Sequence, residues 1–166
     1  MKIKSCQFFL ILCFFIYFFD TVGVCQEYSF QLLVSRYEHT MQIAAKCWKD
    51  KHYLRALDGF YAARELINDN MPQPSETFAW QGCLTLKMYS LILARFTESE
   101  YYLTTNQKEM VEDLIVQAFD WGLKLKQAIT NWDLAKTTQS WEDALRMRWI
   151  HRFQSAIEQA RKRMDE

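Results

Sequence analysis

Glycine and proline are scarce in this chain, with four of one and two of the other in 166 residues. Phosphate-cradling loops and tight β-turns both draw on glycine's freedom at positive φ, so this composition speaks against all-β folds and loop-built nucleotide enzymes. Charge of either sign is not in excess: Lys plus Arg number 20, and so do Asp plus Glu. Bulk electrostatics therefore give no reason to expect nucleic acid as a partner. Histidine is limited to His39, His52 and His151, none in a metal-binding helix motif or paired four residues from another ligand. Nucleophile elbows, phosphate loops and dinucleotide fingerprints are absent from the sequence. The carboxylate neighbours Glu98 and Glu100, or Glu112 and Asp113, stand in polar stretches that read as a solvated face. Acid–base catalysis needs a site that separates two pKa values. No catalytic, cofactor-binding or metal-ligating residue is assigned, no cofactor is expected, and the chain reads as non-enzymatic.

What is present is apolar and aromatic. Half the residues are hydrophobic and 16% are aromatic, which argues against disorder. The length suits one domain with a real core.

The N-terminus has its own logic. Lys2 and Lys4 precede twelve apolar residues, Phe8 to Phe19, and Asp20 closes the run. Gly23 and Cys25 follow as small residues. A positive start, a short apolar core and a small-residue exit predict a secretory signal peptide over residues 1–25, leaving one α-helical domain over residues 26–166. The alternative is an uncleaved anchor, but the run falls short of the roughly 20 residues a span needs. Basic residues ahead of it favour an inside N-terminus, so both readings place the remaining chain outside the cytoplasm. A secreted or periplasmic location is expected, with a signal-anchored membrane protein as the alternative.

Beyond residue 26 the apolar spacing is three and four throughout, which predicts an all-α fold of about five amphipathic helices. The first runs from Phe30 to Lys49, with Phe30, Leu33, Val34, Tyr37, Met41, Ala44, Ala45 and Trp48 on one face. The second, Lys51 to Asn70, carries Tyr53, Ala56, Leu57, Phe60, Ala63, Leu66 and Ile67, and reads as the helix that organises its neighbours. The breaker Asn68 to Pro74 follows. Ser75 is expected to cap a third helix reaching about Thr97, and Thr97 to Thr105 reads as a polar connection. Asn106 with Glu109 resembles a capping box for a fourth helix to about Asn131. A last helix runs from Trp141 almost to the end, with Ser140 and Asp143 as its cap. Short connections predict antiparallel hairpins.

In the second helix an aromatic residue (Tyr53), Ala56-Leu57, a second aromatic (Phe60) and Ala63 recur at offsets that resemble the tetratricopeptide repeat, a unit of about 34 residues. The resemblance covers about residues 37–70. It departs in its first half: Thr40, Ile43, Ala44 and Cys47 stand where the family favours Trp, Leu, Gly and Tyr, and the closing proline is displaced to Pro72. The resemblance implies a stack of helical hairpins that holds partner proteins in a groove. An irregular helical bundle is the alternative architecture.

Cys6, Cys13 and Cys25 lie in the N-terminal segment, leaving Cys47 and Cys83. An even pair in an oxidising compartment suggests one disulfide between them, set against two buried free thiols. Helices have limited buried faces, so Tyr61, Trp80, Tyr101, Tyr102 and Trp132 are expected at a partner surface. Arg146, Arg148 and Arg152 make the last helix basic and amphipathic, fit for a partner or a membrane surface. Together these readings describe an exported adaptor or scaffold that binds a protein partner. The alternative is a secreted or envelope factor acting at a membrane through its last helix. Intact mass of the exported chain should begin at Gln26; a mass that includes Met1 would overturn the cleavage.

Overall fold

The computed structural model describes residues 30–137 and 140–165. The signal segment over residues 1–25 lies outside the described residues. The chain divides into two compact units, Met1–Ser35 and Arg36–Glu166. Within the first, residues 30–35 are helical, with Phe30, Leu33 and Val34 buried.

Five helices and no strand occur among the described residues. We label them α1 (residues 30–49), α2 (Tyr53–Asp69), α3 (Thr77–Thr104), α4 (Glu109–Leu134) and α5 (Ser140–Asp165). The expected all-α class therefore holds. In α2 the face Ala56, Phe60, Ala63 and Ile67 is buried, as its spacing predicts. In α4 the buried face is Leu114, Ala118, Gly122, Leu125, Ala128 and Trp132. On α5 the stripe runs through Leu145, Trp149, Phe153, Ala156 and Ala160.

The central helix is α3 rather than α2. It packs against α2, α4 and α5, and also against α1, where Tyr37 Oη donates to the Leu86 carbonyl at 2.7 Å and Trp48 Nε1 to Glu100 at 2.6 Å. No residue from Phe78 to Tyr102 is exposed. A helix apolar on most sides belongs in the middle of a domain. Four hydroxyls are buried with it, and each returns to a carbonyl of its own helix: Thr85 to Gly82, Ser90 to Lys87, Thr97 to Leu93 and Ser99 to Phe96. That local bonding is how a Ser or Thr enters a core without an orphan group.

Three expected boundaries are corrected. Ser75 does not cap α3; the N-cap is Glu76, without a side-chain bond. Residues 97–104 are helix, not connection. Their polar groups are engaged: Glu98 pairs with Arg95 at 2.6 Å, and Glu100 holds both Trp48 and Arg163. Asn106 does not open α4 but closes α3. At φ 60° it sends its N–H to the Leu103 carbonyl, while Gln107 N–H reaches Tyr102. This is a Schellman termination. Lys51, at φ 62°, closes α1 in the same way, with Lys51 N–H on the Trp48 carbonyl and His52 N–H on that of Cys47.

Going along α3 from Phe78 through Tyr89 to Glu100, the partners on α5 rise from Arg146 through Trp149 to Arg163. Tyr37 also meets Trp149 edge-on at 5.8 Å, and Glu38 pairs with Arg148 at 2.7 Å. Thus α1 and α5 touch directly. Between α1 and α2 the backbones approach closely at Gly59, where a Cβ would lie 2.7 Å from Ala44 Cβ and 3.2 Å from its Cα.

Cys47 and Cys83 are free thiols, which corrects the expected bridge. The helices that carry them are neighbours, but the contacts set their register: residue 37 is level with 86, and 48 with 100. Cys47 therefore stands about four turns of α3 beyond Cys83, roughly 20 Å away. A disulfide needs Cα atoms within about 7 Å. Burial pushes the Cys83 thiol up to about 12, and nearby Glu76 adds to the effect.

Two outcomes follow from this packing. Gly59→Ala gains about 1 kcal/mol of helix propensity but forces a contact that costs roughly 1–3 kcal/mol. Urea titration should show net destabilisation, relieved by adding Ala44→Gly; a more stable single variant would overturn the close approach. For the thiols, alkylation of the native chain at pH 8 followed by peptide mapping should label Cys47 before Cys83, with no Cys47–Cys83 linked peptide. Because the native thiol of Cys83 holds its proton above the ordinary 9.0, stability is full below pH 9 and falls as pH rises toward 12, by up to about 1.4 kcal/mol per unit. Cys83→Ala should flatten that slope between about pH 9 and 10, below the range in which the buried Tyr37 and Tyr89 add to it.

Candidate functional site

A cleft of about 610 Å³ opens where α1 turns into α2, beside the C-terminal turn of α3. It is lined by Lys51, His52, Tyr53, Leu54, Arg55, Tyr101 and Thr104. Two local features build it. The Schellman turn at Lys51 ends α1 and starts α2 within a few residues. The second Schellman turn, at Asn106, ends α3 just beyond Thr104.

The cleft's electrostatics have one sign. Lys51, His52 and Arg55 are exposed, and among the described residues no carboxylate lines the space. The N-cap of α2 is His52, which makes no side-chain capping bond, and the first turn holds no acidic residue. The N–H groups of Tyr53, Leu54 and Arg55 have no acceptor within the helix, because the first bond of the ladder joins Ala56 to the His52 carbonyl. The positive end of the α2 dipole adds to the same field. Leu54, 55% exposed, and the half-buried rings of Tyr53 and Tyr101 supply apolar surface. Tyr102 packs on Tyr101 with ring centroids 5.6 Å apart.

The five aromatic residues expected at one partner surface separate. Tyr101 lines the cleft and Tyr102 supports it. Tyr61 is half-buried on α2, accepts a hydrogen bond from Arg95 at 2.9 Å and lies under Arg64. Trp80, also half-buried, is on the same helix as Tyr101 but about 30 Å from it along the axis. Trp132 is corrected outright: it is 0% exposed, packed against Phe78 and Phe153. Its surface place is expected only because helices have limited buried faces. In the fold α3 and α5 close over it.

The basic face of α5 is similarly committed. Arg146 donates to the carbonyls of Trp132, Asp133 and Ala135 at 3.1–3.3 Å and pairs with Asp143 at 2.5 Å. Its side chain is 15% exposed, and it serves as the C-terminal cap of α4. Arg148 pairs with Glu38, and Arg152 lies over Trp149 at 4.7 Å. No helix among the described residues is long and apolar enough to cross a membrane. No group of three or more His, Cys, Asp or Glu is arranged to hold a metal among them.

In sequence Lys51, His52 and Arg55 belong to a polar stretch at the start of the second helix, with nothing that joins them into a site. The signal was there in the run Lys49, Lys51, His52 and Arg55 around a helix start with no capping side chain. What it lacked was Tyr101 and Thr104, which only the α2–α3 packing brings alongside. No protein-family model, curated protein or solved structure matches the chain, so the meaning of the cleft rests on its own residues.

Proposed function

We propose that this chain is an exported, non-enzymatic helical protein that binds a partner protein, and that the contact is made at the cleft between the α1–α2 joint and the end of α3. The observation that carries the reading is the open space of about 610 Å³ with exposed Leu54 and the rings of Tyr53 and Tyr101 among cationic side chains. Aromatic residues with a cationic rim are what protein interfaces favour over general surface. Export rests on the sequence of residues 1–25 alone.

The close crossing of α1 and α2 at Ala44 and Gly59 supports a tetratricopeptide-like hairpin there. Helices α3 and α4, at 28 and 26 residues, are too long to repeat a unit of about 34 residues. Direct contact of α1 with α5 supports a closed bundle over an open stack. The end cleft, and not a concave groove along the stack, is then the place for a partner. Adaptor or scaffold remains a statement of class, since fold does not carry function. The intramolecular partners of Arg146, Arg148 and Arg152 give the membrane alternative no support.

The test is affinity capture of the C-terminally tagged full chain from its native cells, beside a Leu54→Ala/Tyr101→Ala variant, with mass spectrometry of both eluates. One stoichiometric partner kept by the wild type and lost by the variant is the expected result. A partner retained equally by both would overturn the cleft as the binding site.

A further inference from the structure

Resting on that reading, we infer that the cleft takes an acidic peptide segment of its partner, one in which carboxylates flank an apolar or aromatic side chain. The argument begins with charge. The chain as a whole is neutral at 20 against 20, yet the cleft lining holds Lys51, His52 and Arg55 and no carboxylate. The nearest acidic groups are placed elsewhere. Glu100, next in sequence to Tyr101, is held by Trp48 at 2.6 Å and Arg163 at 2.9 Å. Asp50 and Asp58 flank the segment 51–55 but do not line the space. Among the described residues none of Lys51, His52 or Arg55 has a carboxylate partner, whereas Arg95, Arg146, Arg148 and Arg163 each have one. Cations held out of intramolecular pairs around a concavity are complementary to an anionic ligand.

The second half of the argument is apolar. Tyr53, Leu54 and Tyr101 stand among these cations, and a side chain seated on them would bury surface that Leu54 leaves 55% exposed. Carboxylates on either side would then reach Lys51 and Arg55, and the unbonded N–H groups at the start of α2. A peptide fits this mixture better than the other polyanions. A lipid bilayer presents a flat face to which a concavity is poorly matched. Nucleic acid is bound by many phosphate contacts along an extended basic track, and here the cations are confined to one turn.

The experiment measures fluorescence anisotropy of short labelled peptides with the full chain. One carries a single Trp among Asp and Glu, a second replaces those carboxylates with Lys and Arg, and a third keeps the acidic residues but replaces Trp with Gly. Vesicles of phosphatidylserine and a single-stranded oligonucleotide serve as competing anions. The acidic Trp peptide should bind best, weaken with salt, and lose about tenfold in affinity with Lys51→Glu/Arg55→Glu, while circular dichroism of the variant is unchanged. Tyr101→Ala should lower affinity for the acidic Trp peptide but not for its Gly counterpart. Equal binding of the charge-reversed peptide, no effect of Lys51→Glu/Arg55→Glu, or preference for vesicles or oligonucleotide would each overturn the inference. If no peptide binds but a partner captured from cells is still lost with Leu54→Ala/Tyr101→Ala, the acidic-segment inference fails and the partner-binding reading stands.

Discussion

The constraint on which the Arg36–Glu166 unit depends is the burial of α3 on most of its circumference. A helix with Leu91, Ile92, Leu93 and Ala94 all buried in succession cannot be satisfied by one neighbour. It needs helices on several sides, and α1, α2, α4 and α5 supply them. At the middle of the assembly Tyr37, Tyr89, Trp149 and Phe153 meet at ring distances of 5.3–5.8 Å. Phe78 and Trp132 extend the cluster toward α4. Such pairs contribute about 0.5–1.5 kcal/mol each beyond their buried area. They are also directional, so they set which faces of α1, α3 and α5 meet. The indole N–H groups of Trp132 and Trp149 are buried without an acceptor among the described residues, which marks ring packing as the main contribution of these two residues.

Polar contacts then fix the ends. Tyr37 donates to the Leu86 carbonyl inside the core, and its hydroxyl is pushed well above the ordinary phenol range, chiefly by burial. Glu100 joins α1 to α5 through Trp48 and Arg163. Arg146 joins α4 to α5 by covering the carbonyls at the end of α4. Charges that look free on a helical wheel are thereby used within the fold. The cations at the start of α2 have no such carboxylate partner among the described residues. There the chain leaves the left-handed Lys51, begins a helix without a side-chain cap or an acidic first turn, and presents its cations to open space. Function is proposed at that place because cations without a carboxylate partner among the described residues border an open space there.

Spacing alone determined a good deal. Period-3.6 patterns marked all five helices and most of their buried faces, because an amphipathic helix buries the same stripe whichever neighbour covers it. The face of α4 through Leu114, Ala118, Leu125 and Ala128 is legible for that reason, as is that of α2 through Ala56, Phe60 and Ala63. Local rules failed where a residue's role depended on a distant partner. Residues 97–104 looked like a connection, since their carboxylates and hydroxyls are polar. They are helix because Arg95, Trp48 and Arg163 reach them from along the chain and from two other helices. Asn106 and Lys51 both stand in sequence where a helix start is expected, and in the fold each closes the helix before it.

Only the tertiary structure decided register and neighbourhood. Cys47 and Cys83 sit on adjacent helices, and nothing short of the Tyr37–Leu86 and Trp48–Glu100 contacts separates them by several turns. Trp132 is buried because α3 and α5 close over it, while Tyr101 comes to the cleft because α3 runs past the start of α2. Helical class and the buried stripes follow from periodicity, a property of neighbours in sequence. Which stripe meets which, and so which side chains are left to face a partner, follows from packing among five helices. No three- or four-residue spacing encodes that.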